Sequence, residues 1–561
     1  MTEPLPTPLP ELAPQPPHMI GPTWRKTVTG DWYLPERTLG WGILNWWASY
    51  VRTPGGDNAG SAFLPTLEQA RFILWWYAVD ATGRYSHRNG VFRRMKGHGK
   101  DPLAAAISLA ELCGPVAFDR FDASGEPIGK PRHAAWIQIV AVSQEQTKNT
   151  MSLFPVMVAA ALKQDYSLEV HKTIIYSAAG GRIEAVTSSP YAMEGNRPTL
   201  VIRNETQWWH ETNDGHDLAG VIEGNVTKIP GSRTLSICNA HIPGEDSVAE
   251  RDYEAWQAVV SGQAVDVGTL YDALEAPADT PVSEIPSARE DPEGYEAGLL
   301  QLRAGIEIAR GDSIWLPVDA IIESVLDVKN PVTESRRKFL NQVNAHEDSW
   351  IAPYEWDACS TPATLEKGDR ITLGFDGSKS NDWTALVACR VEDGMLFLIK
   401  AWNPDKYLNE EVPREDVDAT VRSCFDRFDV VAFRADVKEF EAYVDQWGRD
   451  FKKRIKVNAS PNNPIAFDMR GQQKRFALDC ERFLDAVLER ELSQDGDPTL
   501  RQHVLNARRH PTNYDAISIR KQSKDSSKKI DAAVCGVLAF GARQDFLMSK
   551  RNRSRKAMVI Q

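Results

Sequence analysis

Between residues 85 and 260 short apolar runs alternate with stretches of helical length, a pattern that restricts this part of the chain to a mainly parallel sheet with helices on its faces. The runs are Gly90–Arg93, Trp136–Val142, Leu200–Arg203 and Leu235–Cys238, and the intervening helical stretches include Leu103–Leu112 and Met151–Lys163. Residues 370–545 follow another rule. Ile371–Phe375, Thr384–Val391 and Met395–Ala401 are consecutive strands, the last two joined through Asp393-Gly394, a hairpin turn signal. A helix, the strands Val430–Arg434 and Ile455–Val457, and a long helix over Phe467–Leu492 complete a second, mixed α/β layer. The expected fold class is therefore α/β twice over, with different wiring in each half.

A chain of 561 residues has room for several cores, and 42% hydrophobic with 25% charged residues excludes wholesale disorder and fibrous repeats. No run approaches the ~20 apolar residues of a membrane span. The proline-rich, slightly acidic residues 1–22 do not read as a signal peptide, so a cytosolic protein is expected. The 7 cysteines are scattered without CxxC or zinc spacing, which argues against a disulfide framework or zinc module. A net charge of −12 confines any nucleic-acid contact to local basic surfaces. Proline- and acid-rich residues 275–293 read as a surface loop or junction. The expected division is an N-terminal extension (1–60), a first α/β domain (61–290), a linker or subdomain (291–365), a second α/β domain (366–545) and a basic tail (546–561).

Arg93-Arg94-Met95-Lys96-Gly97-His98-Gly99-Lys100-Asp101-Pro102 lies between a strand and a helix. Phosphate loops use glycines to close backbone N–H groups around phosphate oxygens and a lysine to reach the β- and γ-phosphates, and Gly97, Gly99 and Lys100 fit that use. Arg94 stands where the first glycine is usual, and Asp101 replaces the Ser/Thr that ligates Mg²⁺. The same residues also suit an ordinary basic turn, with Asp101 as N-cap and Pro102 at the first helical position. About a hundred residues on, the apolar run Thr199–Arg203 ends in Asn204-Glu205, where a carboxylate can polarise an attacking water. Ser236-Ile237-Cys238-Asn239 ends another strand and could sense a γ-phosphate, or be plain core. Gln69 could read an adenine edge, or close a capping box with Thr66.

In the second half, Asp376 ends the first strand, Asp436 follows Val430–Arg434 and Asp531 opens a final helix. Acids on the first and fourth strands and on a late helix form a layout that can hold two Mg²⁺ or Mn²⁺ ions for phosphodiester hydrolysis. Taken singly, each suits a turn, a strand end or a helix dipole. Asp382 is a secondary candidate. Arg501, Arg508, Arg509, Lys521, Lys524, Lys528 and Lys529 could track a DNA backbone, or form a solvated face.

These motifs, with Leu67-Glu68-Gln69, Ser143-Gln144-Glu145-Gln146, Asn204-Glu205-Thr206-Gln207-Trp208-Trp209, Pro243–Ser247, Phe339-Leu340-Asn341-Gln342, His503–Ala507 and Lys529–Ala533, are colinear from about Gly40 to Phe540. Together they resemble the large terminase subunits of tailed bacteriophages, in particular those of actinobacteriophages. The resemblance implies an additional-strand P-loop ATPase over 61–290 and a ribonuclease H-like nuclease over 366–545. It implies ATP-driven translocation of double-stranded DNA into a procapsid and endonucleolytic cutting of concatemers. By position, the ATP-binding set is Gln69, Arg94, Gly97, Gly99, Lys100, Asp101, Asn204 and Asn239, with Glu205 as the catalytic base. Asp376, Asp436 and Asp531 would bind the nuclease metals, Mg²⁺ or Mn²⁺. The implied partners are DNA, a portal protein, a small terminase subunit and further copies in a ring. The implied place is the host cytoplasm, transiently at the procapsid portal and not in the mature virion.

The two departures in the ATPase motifs read as one. An ordinary P-loop site offers Mg²⁺ a hydroxyl from the loop and a carboxylate from the second strand, whereas here the loop offers Asp101 and the strand Asn204. The carboxylate has changed sides, so Asp101 is also a candidate Mg²⁺ ligand. Arg182, after the Ala179-Gly180-Gly181 turn, could enter a neighbouring subunit as an arginine finger, or remain a surface arginine. Rival readings are a repair-type helicase-nuclease, for which no second phosphate loop is found, and a portal-docking protein with an inactive ATPase motif.

Overall fold

In the computed structural model the strands of the first half are, in chain order, β1 (Met19–Ile20), β2 (Asn89–Arg93), β3 (Ala117–Phe121), β4 (Pro127–Lys130), β5 (Trp136–Val140), β6 (Glu169–Val170), β7 (Ile174–Tyr176), β8 (Arg182–Val186), β9 (Leu200–Asn204), β10 (Arg233–Cys238) and β11 (Thr269–Leu274). A 9-stranded sheet runs β1-β11-β2-β10-β9-β5-β8-β7-β6, while β3 and β4 pair apart as a hairpin. Every pairing from β11 to β8 is parallel. Only the outer β1, β7 and β6 pair antiparallel. The central β9 and β10 are buried along their whole length, which is why they read as apolar runs rather than alternating ones. β10 lies between β2 and β9, the inserted strand of an additional-strand P-loop sheet. The structure describes residues 10–187, 190–343, 349–378, 382–407, 410–512, 514, 516–521 and 528–549. The Lys524 of the expected DNA track and the basic tail from Lys550 onward lie outside them.

The helix Lys100–Cys113 is almost wholly buried, and its Ala104-Ala105-Ala106 face keeps side-chain bulk low where the chain packs inside the core. Trp47 Nε1 donates to Ala106 O at 2.9 Å, satisfying the indole inside that core. The single helix expected over Met151–Lys163 is instead three short ones, Gln144–Met151, Phe154–Met157 and Ala160–Asp165. Pro155 has no N–H to continue a helix from the preceding turn. Val158 is then drawn into an extended conformation, bridged to Val51. The helices Pro292–Arg310, Val318–Leu326 and Val332–Phe339 gather Leu302, Ile306, Ile321 and Val325 around Met95 of the phosphate-loop segment.

The chain divides into two units, Met1–Asn344 and Ala345–Gln561. The second contains β12 (Arg370–Asp376), β13 (Thr384–Arg390), β14 (Leu396–Trp402), β15 (Asp429–Ala435), β16 (Arg508–Pro511) and β17 (Ile517–Arg520). Its sheet runs β14-β13-β12-β15, antiparallel except for the parallel β12–β15 pair, a ribonuclease H-like order. The long helix Asp531–Met548 lies on β12 because Gly374 leaves room: a Cβ there would stand 2.0 Å from Cys535 O. Thr372 Oγ1 donates to Ala539 O at 2.7 Å and fixes the contact.

Two expectations fail here for local reasons. Ile455–Val457 is not a strand: Lys456 N donates to Val431 O at 2.7 Å beside β15, but no ladder forms among the described residues. The helix expected over Phe467–Leu492 spans Gln473–Leu488. Met469 N–H is spent on Asp436 Oδ1 at 3.2 Å and Arg470 N–H on Asp468 Oδ1 at 3.1 Å, so carboxylates divert the backbone that a longer helix would use.

Candidate active sites

β2 ends at Arg93, and the loop that follows turns at Gly97 (φ 82°) and Gly99 (φ 96°), both in the left-handed region that strains any residue with a Cβ. A Cβ on Gly97 would also lie 2.7 Å from Leu316 Cδ2. The helix begins at Lys100, so Gly99 occupies the cap position and Asp101 stands inside the first turn. Asp101 Oδ1 accepts from Thr150 Oγ1 at 2.7 Å and from Asn204 Nδ2, at the end of β9, at 3.3 Å. Thr150 Oγ1 also accepts from Asn204 Nδ2 at 3.2 Å. Asn204 Oδ1 is buried with no hydrogen-bond partner among the described residues, a vacant hard-oxygen acceptor beside a carboxylate.

Lys100 Nζ donates to Met95 O at 3.0 Å and Arg94 O at 3.2 Å. Burial lowers its pKa, opposed first by the charge of Glu205 and then by that of Asp101, so both carboxylates act on the same ammonium. Asn239, just beyond β10, donates through Nδ2 to Arg94 O at 2.8 Å. Gln69 spends Oε1 on Thr66 N at 3.1 Å, closing the capping box with Thr66 Oγ1, while its Nε2 lies 3.7 Å from where a Gly99 Cβ would be. The capping box expected as the alternative role of Gln69 is therefore formed, with the side chain beside the glycine loop.

Arg94 departs from the expectation of a phosphate-contacting side chain. Its guanidinium is fully buried, paired with Asp272 of β11 and reaching Glu68 Oε1 at 3.5 Å. A guanidinium occupied by two carboxylates leaves only the Arg94 backbone to the loop, where its carbonyl receives Lys100 and Asn239. Arg182 lies at the first residue of β8, beside Trp136 at the start of β5, whereas the phosphate loop follows the last residue of the parallel β2. It is held by Glu184 Oε2 at 3.2 Å and stacked 3.8 Å from the Trp136 ring, and is not brought to this chain's own loop.

In the second unit, Asp376 ends β12, Asp436 follows β15 with its N–H on Phe375 O at 2.9 Å, and Asp531 opens the helix laid across β12. Burial raises the Asp376 pKa well above the usual carboxylate range, and the charges of Asp531, Asp436 and Asp382 push it further the same way. Burial carries Asp531 up to about 6 against the pull of Lys521. Among the described residues no three His, Cys, Asp or Glu side chains already close into a metal cage. The donor chemistry nevertheless fits a divalent cation: crowded hard-oxygen ligands, with Asp531 Oδ2 buried and without a hydrogen-bond partner among the described residues.

Asp382 is taken up by Lys521 and, at 3.0 Å, by Lys529, so those lysines neutralise a carboxylate at the site. Arg501 forms a bidentate pair with Asp357 at 2.6 and 2.8 Å, and Arg508 is buried against Ser349 Oγ at 2.6 Å. Four cations of the expected DNA track, Arg501, Arg508, Lys521 and Lys529, thus have partners within the chain. An unanticipated basic groove of about 570 Å³ is lined by Arg470, Lys474, Arg475, Arg482 and Tyr514. It begins one residue beyond Met469, whose N–H holds Asp436.

Sequence reading also missed His503, Gln207 and Thr150. His503 Nδ1 accepts the Ala532 N–H at 3.0 Å and thereby caps the helix that carries Asp531. Gln207 Oε1 accepts the Asn239 N–H at 3.3 Å. His503 and Gln207 lie inside motif blocks visible in the sequence, but a block does not reveal its partner.

No protein-family model matches the chain. It is 66% identical over 586 residues to the Gene 13 protein of Mycobacterium phage L5, covering 98% of this chain and 99% of that protein. It is 64% identical over 588 residues to the Gene 13 protein of Mycobacterium phage D29, again covering 98% and 99%. Among solved structures it is similar to the HK97 bacteriophage large terminase, with a TM-score of 0.43 and 19% identity, over 90% of this chain and 100% of that one. The chain, whose motifs resemble those of the phage large terminases, belongs to the family of the Gene 13 proteins of mycobacteriophages L5 and D29.

Proposed function

We propose that the chain is a terminase large subunit that couples ATP hydrolysis to translocation of viral double-stranded DNA into a procapsid and cuts concatemeric DNA with a metal-dependent nuclease. The observation that carries the reading is the convergence of Lys100, Asp101, Asn204, Glu205 and Asn239 around one glycine loop, with β10 inserted between the loop strand and the Glu205 strand. In hydrolysis, Glu205 takes a proton from water as the water oxygen bonds to the γ-phosphorus. The bond to the β,γ-bridging oxygen breaks, releasing ADP and phosphate. Lys100 compensates charge on the phosphates, and Asp101 with Asn204 would hold the Mg²⁺ that accompanies ATP.

The nuclease half rests on Asp376, Asp436 and Asp531, which would hold Mg²⁺ or Mn²⁺. Such ions supply an activated water and charge neutralisation at a phosphodiester. The reading also assigns a portal protein, a small terminase subunit and further copies in a ring as partners, acting in the host cytoplasm at the procapsid portal. Arg182 would serve as a finger only across such a ring, and its engagement with Glu184 and Trp136 favours a surface role. DNA-stimulated ATP turnover together with Mg²⁺- or Mn²⁺-dependent cleavage by the purified chain tests the whole. ATP-driven strand displacement would favour a helicase-nuclease, and absence of ATP turnover even on portal-bearing procapsids would favour a docking protein.

A further inference from the structure

We propose that Gln207 is the positioning residue that aims the Glu205 carboxylate and ties it to the phosphate loop through Asn239, an inference that rests on the ATPase reading above. Gln207 sits in the 3-10 turn Thr206–Trp208 and is 3% exposed, so both ends of its amide need partners inside the protein. Nε2 donates to Glu205 Oε2, and Oε1 accepts the Asn239 N–H at 3.3 Å. Asn239 Nδ2 donates to Arg94 O at 2.8 Å, the oxygen that also receives Lys100 Nζ at 3.2 Å. An unbroken hydrogen-bonded chain therefore runs from the base, through one glutamine, to the backbone that carries the phosphate-binding lysine.

The backbone is shaped for this contact. Glu205 is left-handed at φ 56°, a conformation that strains a non-glycine residue and persists only where its surroundings impose it. Glu205 N donating to Ile237 O at 2.8 Å, Trp208 N to Glu205 O at 3.0 Å and Trp209 Nε1 to Asn204 O at 2.9 Å impose it here. The turn brings the side chains at 205 and 207 together. With one carboxylate oxygen held by an amide donor, the carboxylate has a defined orientation, and the other oxygen is the one presented to water. Because Gln207 takes its second bond from the end of β10, a displacement of Asn239 on nucleotide binding or phosphate release is passed to the base.

The test is steady-state ATP turnover by the full chain in the presence of DNA, comparing wild type with Gln207→Met and Gln207→Glu. Gln207→Met keeps the length but neither hydrogen bond and is expected to lower kcat roughly 10- to 100-fold while KM for ATP stays within about twofold. Gln207→Glu is expected to lose as much at pH 8, its activity relative to wild type rising as pH falls, because only a protonated carboxyl can donate to Glu205 as the amide does. Gln207→Met with Asn239→Ala should be no worse than the poorer single variant. Binding of a fluorescent ATP analogue confirms a folded site, and if Gln207→Met fails to bind it, the pH dependence of Gln207→Glu decides. A kcat within about twofold of wild type for a nucleotide-binding Gln207→Met, or a Gln207→Glu to wild-type ratio flat with pH, overturns the proposal alone. A wild-type chain that turns over no ATP overturns the ATPase reading with it.

Discussion

Asn204 Nδ2 lies 3.3 Å from Asp101 Oδ1, so the carboxamide ending β9 meets the carboxylate that opens the phosphate-loop helix, with Thr150 Oγ1 bonded to both. A carboxylate transferred from strand to loop and a neutral amide left behind would look like this. Asp101→Ser alone is expected to weaken Mg·ATP binding and turnover by about tenfold or more. Asp101→Ser with Asn204→Asp should restore much of both, a coupling of about 0.5–3 kcal/mol as for residues in contact. Strictly additive losses in ATPase assays would reduce Asp101 to a first-turn acid.

Asp376→Ala or Asp531→Ala should abolish DNA cleavage and leave ATP turnover near wild type, because each removes a donor from the nuclease acids while the glycine loop belongs to the other unit. Chelation by EDTA should stop cutting, and Mg²⁺ or Mn²⁺ should restore it. Agarose-gel cleavage assays run beside phosphate-release assays read both halves. Undiminished cutting by both variants would remove these carboxylates from the mechanism.

His503 provides a pH signature. Burial pushes its imidazole down to about 4, aided by the charges of Lys521 and Lys529, whereas in the unfolded chain it titrates near 6.5. Below 6.5 the unfolded state gains a proton that the folded state refuses, so stability falls as pH drops toward 4, by up to about 1.4 kcal/mol per unit; above 6.5 the term vanishes. His503→Gln, which retains an acceptor for the Ala532 N–H, should flatten this acid slope in urea midpoints followed by pulse proteolysis. An unchanged slope would show that other groups set it.

The Arg94–Asp272 pair is fully buried, so removing either partner strands a charge. Arg94→Ala or Asp272→Ala should cost the first unit about 3–5 kcal/mol, whereas Arg94→Met with Asp272→Leu should cost far less. Differential scanning fluorimetry reads the loss. KM for ATP of the double variant should stay within about twofold of wild type; a large rise would return the guanidinium to the phosphates.

The alternating runs of residues 85–260 were sufficient to expect a parallel sheet, because strands covered on both faces are apolar throughout and helices between them carry their own period. Gly97, Gly99 and Lys100 announced the loop for an equally local reason: left-handed glycines and a lysine at a helix start are backbone chemistry confined to a few residues. Asp376, Asp436 and Asp531 were legible as strand and helix ends, although nothing local said that the charges of Asp531 and Asp436 would raise the proton affinity of Asp376. Where the outcome depended on a distant partner, the sequence was silent. Arg94 stood in the expected ATP-binding set, yet its guanidinium is taken by Asp272, 178 residues away, and Asp357, Ser349 and Asp382 engage four of the cations expected to track DNA. The helix expected over Met151–Lys163 is interrupted a second time, beyond the break before Pro155, where Val158 bridges Val51. Periodicity and turn chemistry belong to the chain itself, but the partner of a buried charge or the end of a helix is decided only when folding brings remote segments together and each polar group must be satisfied.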